Sequence, residues 1–232
     1  SGSWLLTRAG ADPTVKLWRT AELAQARTYP GHSVEVRDAM FTPDERNVVT
    51  TDFAGVLRVW AGPRAEAIRD LPDSSVKPHD IAIDVSGGTI WAADSSGQLG
   101  RWSLDGLSPP SFLRADEKTA YSVAYSRESG MLAAGGEGGA VSLFAPGSTR
   151  DRVLDVVSSE GISSVRFSPD GRSLAACGRQ GPIVIYDTTN WTLKGRIETE
   201  AGRIVMMRWS PDGAMLAVAG ASRSGLFGSD GV

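Results

Sequence analysis

Histidine, cysteine and paired carboxylates carry most metal-binding and catalytic chemistry, and this chain has few of them. It contains two histidines, His32 and His79, and one cysteine, Cys177. A metal site needs three or four converging ligands, and no cysteine or second histidine stands at ligand spacing from either histidine. We therefore predict no metal site. His32 is expected to make structural hydrogen bonds, and His79 is expected to face a rim or a channel.

Nucleophilic and acid–base catalysis also lack their usual patterns. Cys177 lies in the apolar stretch SLAACG, where a buried, inert thiol is expected. No G-x-S-x-G motif accompanies the histidines. The pair Asp116 and Glu117 falls in a loop, where solvated charge explains it. We predict no catalytic residue and expect that the protein is not an enzyme.

The glycine-rich stretch GGEGGA, residues 135–140, could suggest a phosphate-binding loop. Such a loop ends in GK[ST] and leads into a helix, and neither feature follows here. Glycines at this place suit a tight turn between two strands, because glycine adopts backbone angles that other residues avoid. We expect no bound cofactor.

Composition places the chain among globular proteins of the cytoplasm. Its 232 residues are 41% hydrophobic and 22% charged, with a formal net charge of −3. Without a basic run, neither nucleic acid nor a membrane surface is an expected partner. From the short apolar stretches and the opening residues we expect neither a membrane span nor a signal peptide, and we expect a cytoplasmic location. A single cysteine allows no intrachain disulfide.

A fixed interval of 42 residues organises the whole chain. The strand-like stretch GVLRVW, residues 55–60, recurs at this interval and ends each time in an aromatic: Trp18, Trp60, Trp102, Phe144 and Tyr186. We call a set of equivalent positions, one in each repeat, a column. A second column has the same spacing: Phe41, Ile83, Tyr125, Phe167 and Trp209. A turn such as SPDG follows each member of the second column. Repeats of this length indicate stacked or radial modules.

Four short strands can be traced in one repeat. They are predicted at 34–41, 46–51, 55–60 and 64–71. β-Branched and aromatic residues fill them, Gly, Pro, Asp and Ser separate them, and no helical periodicity persists. A four-stranded antiparallel unit repeated every 40–45 residues is typical of a β-propeller blade, so we predict an all-β propeller.

The repeats resemble those of the WD-repeat family over essentially the whole chain. Gly31, His32 and Trp60 match the start and end of one family repeat, and Asp12 and Trp18 match the end of another. The resemblance implies a buried hydrogen-bonded set of His, Ser or Thr, Asp and Trp. We expect no repeat to complete this set, since Ala54 occupies the aspartate column of the best one. The histidine column elsewhere holds Ser74, Asp116, Ser158 and Glu200.

Residues 34–197 are predicted to form four complete blades, with partial blades at both ends of a single propeller domain spanning 1–232. The two partial blades overlap instead of completing one another. We favour the interpretation that the chain is a segment of a larger ring. A partner chain that completes the ring, or closure with one strand displaced, are the alternatives.

The first strands and the loops between second and third strands should meet at one rim, which the family commonly uses to bind partners. Nine residues are predicted there: Glu35, Arg37, Phe53, Lys77, His79, Tyr121, Glu137, Arg179 and Arg203. The predicted function is a non-catalytic scaffold or sensor that binds a protein or peptide, as the propeller part of a larger signalling protein. A propeller enzyme with a channel-facing site is one alternative. Nucleic-acid binding across Arg37, Lys77, Arg179 and Arg203 is another.

Overall fold

Short strands make up the regular structure of the protein. The computed structural model describes residues 3–8, 12–42, 44–62, 67–71, 77–84, 88–116, 118–149, 151–155, 158, 160–199 and 203–221. Within these residues every regular element is a strand. The same part of the chain has no helix long and apolar enough to cross a membrane. The all-β prediction is confirmed.

The strands of the described residues form six sheets, which we call blades I to VI in chain order. The first three are blade I, with β1 (Trp4–Arg8), β2 (Val15–Arg19) and β3 (Ala24–Tyr29); blade II, with β4 (Val36–Phe41), β5 (Asn47–Asp52), β6 (Leu57–Ala61) and β7 (Ala67–Asp70); and blade III, with β8 (Pro78–Asp84), β9 (Thr89–Asp94), β10 (Gln98–Ser103) and β11 (Ser111–Arg114). The others are blade IV, with β12 (Ala120–Tyr125), β13 (Leu132–Gly136), β14 (Ala140–Phe144) and β15 (Arg152–Asp155); blade V, with β16 (Ile162–Phe167), β17 (Ser173–Gly178), β18 (Ile183–Asp187) and β19 (Leu193–Ile197); and blade VI, with β20 (Arg203–Trp209) and β21 (Leu216–Ala221).

The blade count agrees with the repeat. Blades II to V have four strands each, paired in chain order, and blade I supplies the three strands expected at the start. The third strand expected in blade VI lies outside the described residues. The chain divides into two compact units, Ser1–Val123 and Ala124–Val232, with the boundary inside β12. The assignment of residues 1–232 to a single domain stays a prediction.

The repeated aromatics fill the space between neighbouring blades. In the first unit Trp102 of blade III is buried with Val49 and Val59 of blade II. In the second unit Tyr186 of blade V is buried with Leu154 of blade IV. Burying one such side chain contributes about 1.5–3 kcal/mol, so contacts between blades stabilise each unit.

First strands share a local irregularity that links one blade to the next. The pairing of first with second strands shifts register at Asp38 in blade II and at Asp80 in blade III. The buried Asp80 accepts hydrogen bonds from the Ser122 hydroxyl, at 2.7 Å, and from the Val123 amide, at 3.0 Å. Asp38 accepts a longer bond from the Ile81 amide, at 3.4 Å. Both carboxylates therefore tie their own blade to the backbone of the following one.

The SPDG turns predicted after Phe167 and Trp209 are present, and side chains reinforce them. The turn predicted after Ile83 falls largely outside the described residues. In blade V the Gly171 amide donates to the Ser168 carbonyl, and Gly171 has a φ of 67°. The Ser168 hydroxyl also donates to Asp170 at 2.6 Å, which holds the pKa of that exposed carboxyl below its usual value. The GGEGGA stretch runs from the end of β13 through a turn into β14, so the tight-turn interpretation is confirmed.

One expectation from the sequence is wrong: blade II does complete the buried hydrogen-bonded set. His32 Nδ1 lies 2.7 Å from Asp52 Oδ2, and His32 Nε2 lies 2.6 Å from Thr50 Oγ1. The Trp60 indole donates to the same Thr50 oxygen at 2.8 Å. All four side chains are buried. The carboxylate comes from Asp52 at the end of β5, and not from the turn position that Ala54 occupies.

The buried histidine predicts how the stability of the protein depends on pH. Burial lowers the pKa of His32 below its ordinary value of about 6.5, although Asp52 opposes this shift. The folded state therefore binds a proton on His32 less readily than the unfolded state does. As pH falls below about 6.5, the unfolded chain takes up that proton and the free energy of unfolding decreases.

Urea denaturation at several pH values between about 5 and 7.5 measures this dependence. The free energy of unfolding should fall with falling pH in the wild type, and the His32→Gln variant should lose this part of the slope. If the free energy of unfolding depends on pH equally in the two proteins, His32 is not the source of this dependence.

Candidate partner-binding surface

Four of the predicted rim residues lie together in the first unit. Arg37 and His79 lie on the first strands of blades II and III, Tyr121 lies on β12, and Phe53 follows β5. We call these four residues the rim cluster. Because the first strands of neighbouring blades run side by side, a column spaced by 42 residues along the chain becomes a row of adjacent side chains.

Arg37 is at the centre of the rim cluster. Its guanidinium lies over the Phe53 ring, 4.6 Å from the ring centre, in a cation–π contact. Its Nη2 atom also contacts Nδ1 of His79. The side chain is half-buried. Burial lowers the pKa of Arg37, and the positive charge of Arg8 lowers it further.

The contacts of His79 define a neutral tautomer. Arg37 can only donate, so Nδ1 of His79 accepts. Nε2 lies 3.0 Å from the Ser95 hydroxyl, to which it can then donate its proton. The Tyr121 ring meets the imidazole edge to face, with 5.4 Å between ring centres. The arginine, the imidazole and the phenol therefore form one contiguous group.

The rim cluster is accessible. Phe53 is 47% exposed, which is high for a phenylalanine, and its amide is held by a 3.2 Å bond to the Glu35 carbonyl. Glu35 is half-buried, and Lys77 is exposed just before β8. An exposed aromatic on a fixed backbone, next to arginine and tyrosine, has the composition of the energetic centre of a protein interface.

The remaining predicted rim residues belong to the second unit. Glu137 is exposed in the turn between β13 and β14. Arg179 is half-buried after β17, and its carbonyl accepts a 3.0 Å bond from the Ile204 amide. The side chain of Arg203 lies outside the described residues. Their part in the predicted rim stays a prediction.

Two contributors to the surface were missed from the sequence. Ser95 stands 42 residues after Phe53, so the same column would have found it. Arg8 is at the end of β1 and belongs to none of the columns that were used. Its influence on Arg37 depends on the packing of blade I beside blade II.

The described residues contain no set of three or more His, Cys, Asp or Glu side chains that could hold a metal ion. Cys177 is fully buried in β17, and burial raises the pKa of its thiol. A buried, protonated thiol is a poor nucleophile, as predicted for this residue. The chemistry that the rim cluster offers is recognition, through a guanidinium, aromatic faces and a hydroxyl.

Two regions of the chain match known sequence families. Residues 123–212 match the family described as the anaphase-promoting complex subunit 4 WD40 domain. Residues 24–61 match the family described as WD domain, G-beta repeat. The second match begins with β3 and ends with β6, so one sequence repeat joins the last strand of blade I to three strands of blade II. A comparison with curated proteins finds no match.

Proposed function

We propose that this chain, which is a WD-repeat protein, works as a non-catalytic scaffold that binds another protein or a peptide through the rim cluster. The observation that carries the proposal is the meeting of Arg37, Phe53, His79 and Tyr121 on adjacent first strands and the following loop. Rigid strands position these side chains, so a partner would meet a surface that is already ordered.

The residue types support protein recognition. Arginine and tyrosine are frequent at the positions that contribute most to binding, and half-exposed aromatics bury a large area at a small entropic cost. WD repeats are protein-interaction modules. The name of one matched family refers to a subunit of a complex, which agrees with a role inside an assembly.

We also propose a setting for this scaffold. It would be the propeller part of a larger signalling protein in the cytoplasm, where other domains act on what the rim binds. The single, buried cysteine is compatible with a reducing compartment. The test of this wider role is whether the intact natural protein carries an effector domain whose activity changes when the rim is occupied.

Selection of peptides from a random display library tests the binding function. Peptides selected on the wild-type protein should lose affinity about 30-fold or more for the double variant Arg37→Ala, Tyr121→Ala, because truncation of central interface residues costs about 2 kcal/mol or more. Fluorescence anisotropy with labelled peptides measures the dissociation constants.

A matched double variant, Arg46→Ala with Phe112→Ala, removes the same kinds of side chain away from the rim cluster. The Arg46 side chain is 84% exposed, and Phe112 lies on the outer strand β11. Binding should be unchanged in this control. If the selected peptides bind the rim double variant as tightly as the wild type, the proposed binding face is wrong.

A further inference from the structure

We propose that the rim cluster recognises an acidic peptide, in which an Asp or Glu carboxylate pairs with Arg37 and a neighbouring apolar residue packs on Phe53. This inference rests on the proposed function and names the chemistry of the partner. It follows from a charge that the described part of the protein leaves uncompensated.

Arg37 has no counterion among the described residues. It is half-buried, and its contacts are the imidazole of His79 and the ring of Phe53, neither of which carries a negative charge. Partial burial removes water from a guanidinium, and folded proteins normally compensate such a charge with a carboxylate.

Arg58 of the same blade shows how a partly buried arginine is ordinarily neutralised by a carboxylate. The Arg58 side chain is 16% exposed, and it pairs with both carboxylate oxygens of Asp70. It also donates to the Gly31 carbonyl at 2.6 Å and lies over the Trp60 ring. Arg37 has the aromatic contact but finds no acidic partner in the described part of the chain, and this difference marks it as a group prepared for a ligand.

The surroundings of Arg37 increase the need for a negative charge. Arg8 is close enough to lower the pKa of Arg37, and the exposed Lys77 adds a further positive charge beside His79 in the sequence. Glu35 lies two residues before Arg37, but no ion pair joins the two side chains. A carboxylate brought by a partner would therefore enter a region of positive potential.

The geometry leaves donors available for such a carboxylate. A guanidinium has five N–H groups in one plane, and its face is already covered by Phe53 while Nη2 contacts His79. The remaining edge can bind two carboxylate oxygens side by side. Phe53 is 47% exposed and contacts the guanidinium, so its ring suits an apolar side chain adjacent to the acid.

A single acidic side chain fits better than nucleic acid. Binding a phosphate backbone requires a line of several cations, whereas the rim cluster contains one guanidinium, and the whole chain has a net charge of −3. Nucleic acid is nevertheless an anion with stacking bases, so it is included as an outcome of the test.

The test uses two display libraries of equal size, one in which random positions can be Asp or Glu and one in which Asn and Gln replace them. Peptides that bind the wild-type protein but not the Arg37→Met variant should come from the acid-containing library alone. Replacing the selected Asp or Glu by Asn or Gln should weaken binding about tenfold or more, and added salt should weaken the acidic peptide most.

Two protein variants complete the design. Arg37→Lys keeps the charge and should retain more affinity than Arg37→Met, which has an uncharged side chain that donates no hydrogen bond. Arg37→Glu should reverse the preference and bind peptides in which Lys replaces the acid. Thermal unfolding of each variant, followed by tryptophan fluorescence, establishes that the fold is retained.

Three outcomes would overturn the inference: Arg37-dependent peptides from the acid-free library, no Arg37-dependent peptide in the acidic library, or displacement of the peptide by a single-stranded oligonucleotide with steep salt dependence. The first would leave the proposed scaffold function intact. Peptide binding that is indifferent to both Arg37 and Tyr121 would instead refute the rim cluster as the binding face.

Discussion

The variant Asp52→Ala should lower the free energy of unfolding by about 3 kcal/mol or more. Asp52 is 1% exposed and accepts hydrogen bonds from His32, from the Ala54 amide at 2.9 Å and from the Val56 amide at 3.0 Å. Removing the carboxylate leaves three donors without their acceptor. His32 is buried, and leaving its donor unsatisfied costs about 1–3 kcal/mol, while each part-buried amide loses a hydrogen bond worth about 0.5–1.5 kcal/mol. Urea denaturation followed by tryptophan fluorescence measures the loss.

Asp44 offers a matched control in the same blade. Its carboxylate also accepts a hydroxyl and a backbone amide, from Thr42 and Arg46, but its side chain is 54% exposed. Water can replace the lost acceptor, so Asp44→Ala should cost about 1 kcal/mol or less. Equal losses in the two variants would show that the buried set does not stabilise blade II.

The variant Gly135→Ala should lower the free energy of unfolding by at least about 1–3 kcal/mol, because it disturbs the contact between blades IV and V. Gly135 lies on β13, and a Cβ there would overlap Cγ2 of Ile162 on β16 and lie 2.7 Å from its Cβ. Ile162 is fully buried, so it cannot move aside without disturbing its neighbours. Forcing an extra carbon into a packed interior has a cost of this size.

Gly195 provides the comparison. It lies on the outer strand β19, and a Cβ added there would meet no atom within 4 Å. Gly195→Ala should leave the free energy of unfolding unchanged or raise it slightly, because alanine restricts the unfolded chain more than glycine does. If both variants melt at the wild-type temperature, blades IV and V do not pack as described.

Much of the fold could be predicted because the strands expected in one repeat can be compared with the equivalent residues of the other repeats. The strand predicted at 46–51 is observed at Asn47–Asp52, and the strand predicted at 55–60 is observed at Leu57–Ala61. Each closing aromatic lies 42 residues from the next, so an error in one repeat is corrected by the others. The ends of these two strands shift by one or two residues, since local turns and bulges set them.

The buried hydrogen-bonded set could not be found in this way. Counting back from Trp60 by the spacing of Asp12 to Trp18 leads to Ala54, whereas the carboxylate used is two residues earlier. Asp94 of blade III occupies the same place as Asp52 and binds the Ser96 and Gln98 amides in the same manner. The end of the second strand, where the carboxylate can reach both the turn amides and a buried histidine, is therefore the relevant position.

The sequence could predict which positions lie at the rim, but not which side chains of the rim cluster contact one another. Arg37 and His79 stand 42 residues apart, which places them at equivalent points of neighbouring blades. That Arg37 contacts His79 and covers Phe53 depends on how far one first strand lies from the next. Likewise, the structure was needed to see that Arg37 has no counterion among the residues it describes.

Mapping a selected peptide onto the protein by NMR tests the proposed binding surface most directly. Titration of the isotopically labelled chain with the peptide should shift the amide signals around residues 35–37, 53, 79, 95 and 121, and leave those of the outer strands β3, β7 and β11 in place. Shifts confined to the outer strands, with the rim cluster unchanged, would contradict the claim that the chain binds its partner through the rim.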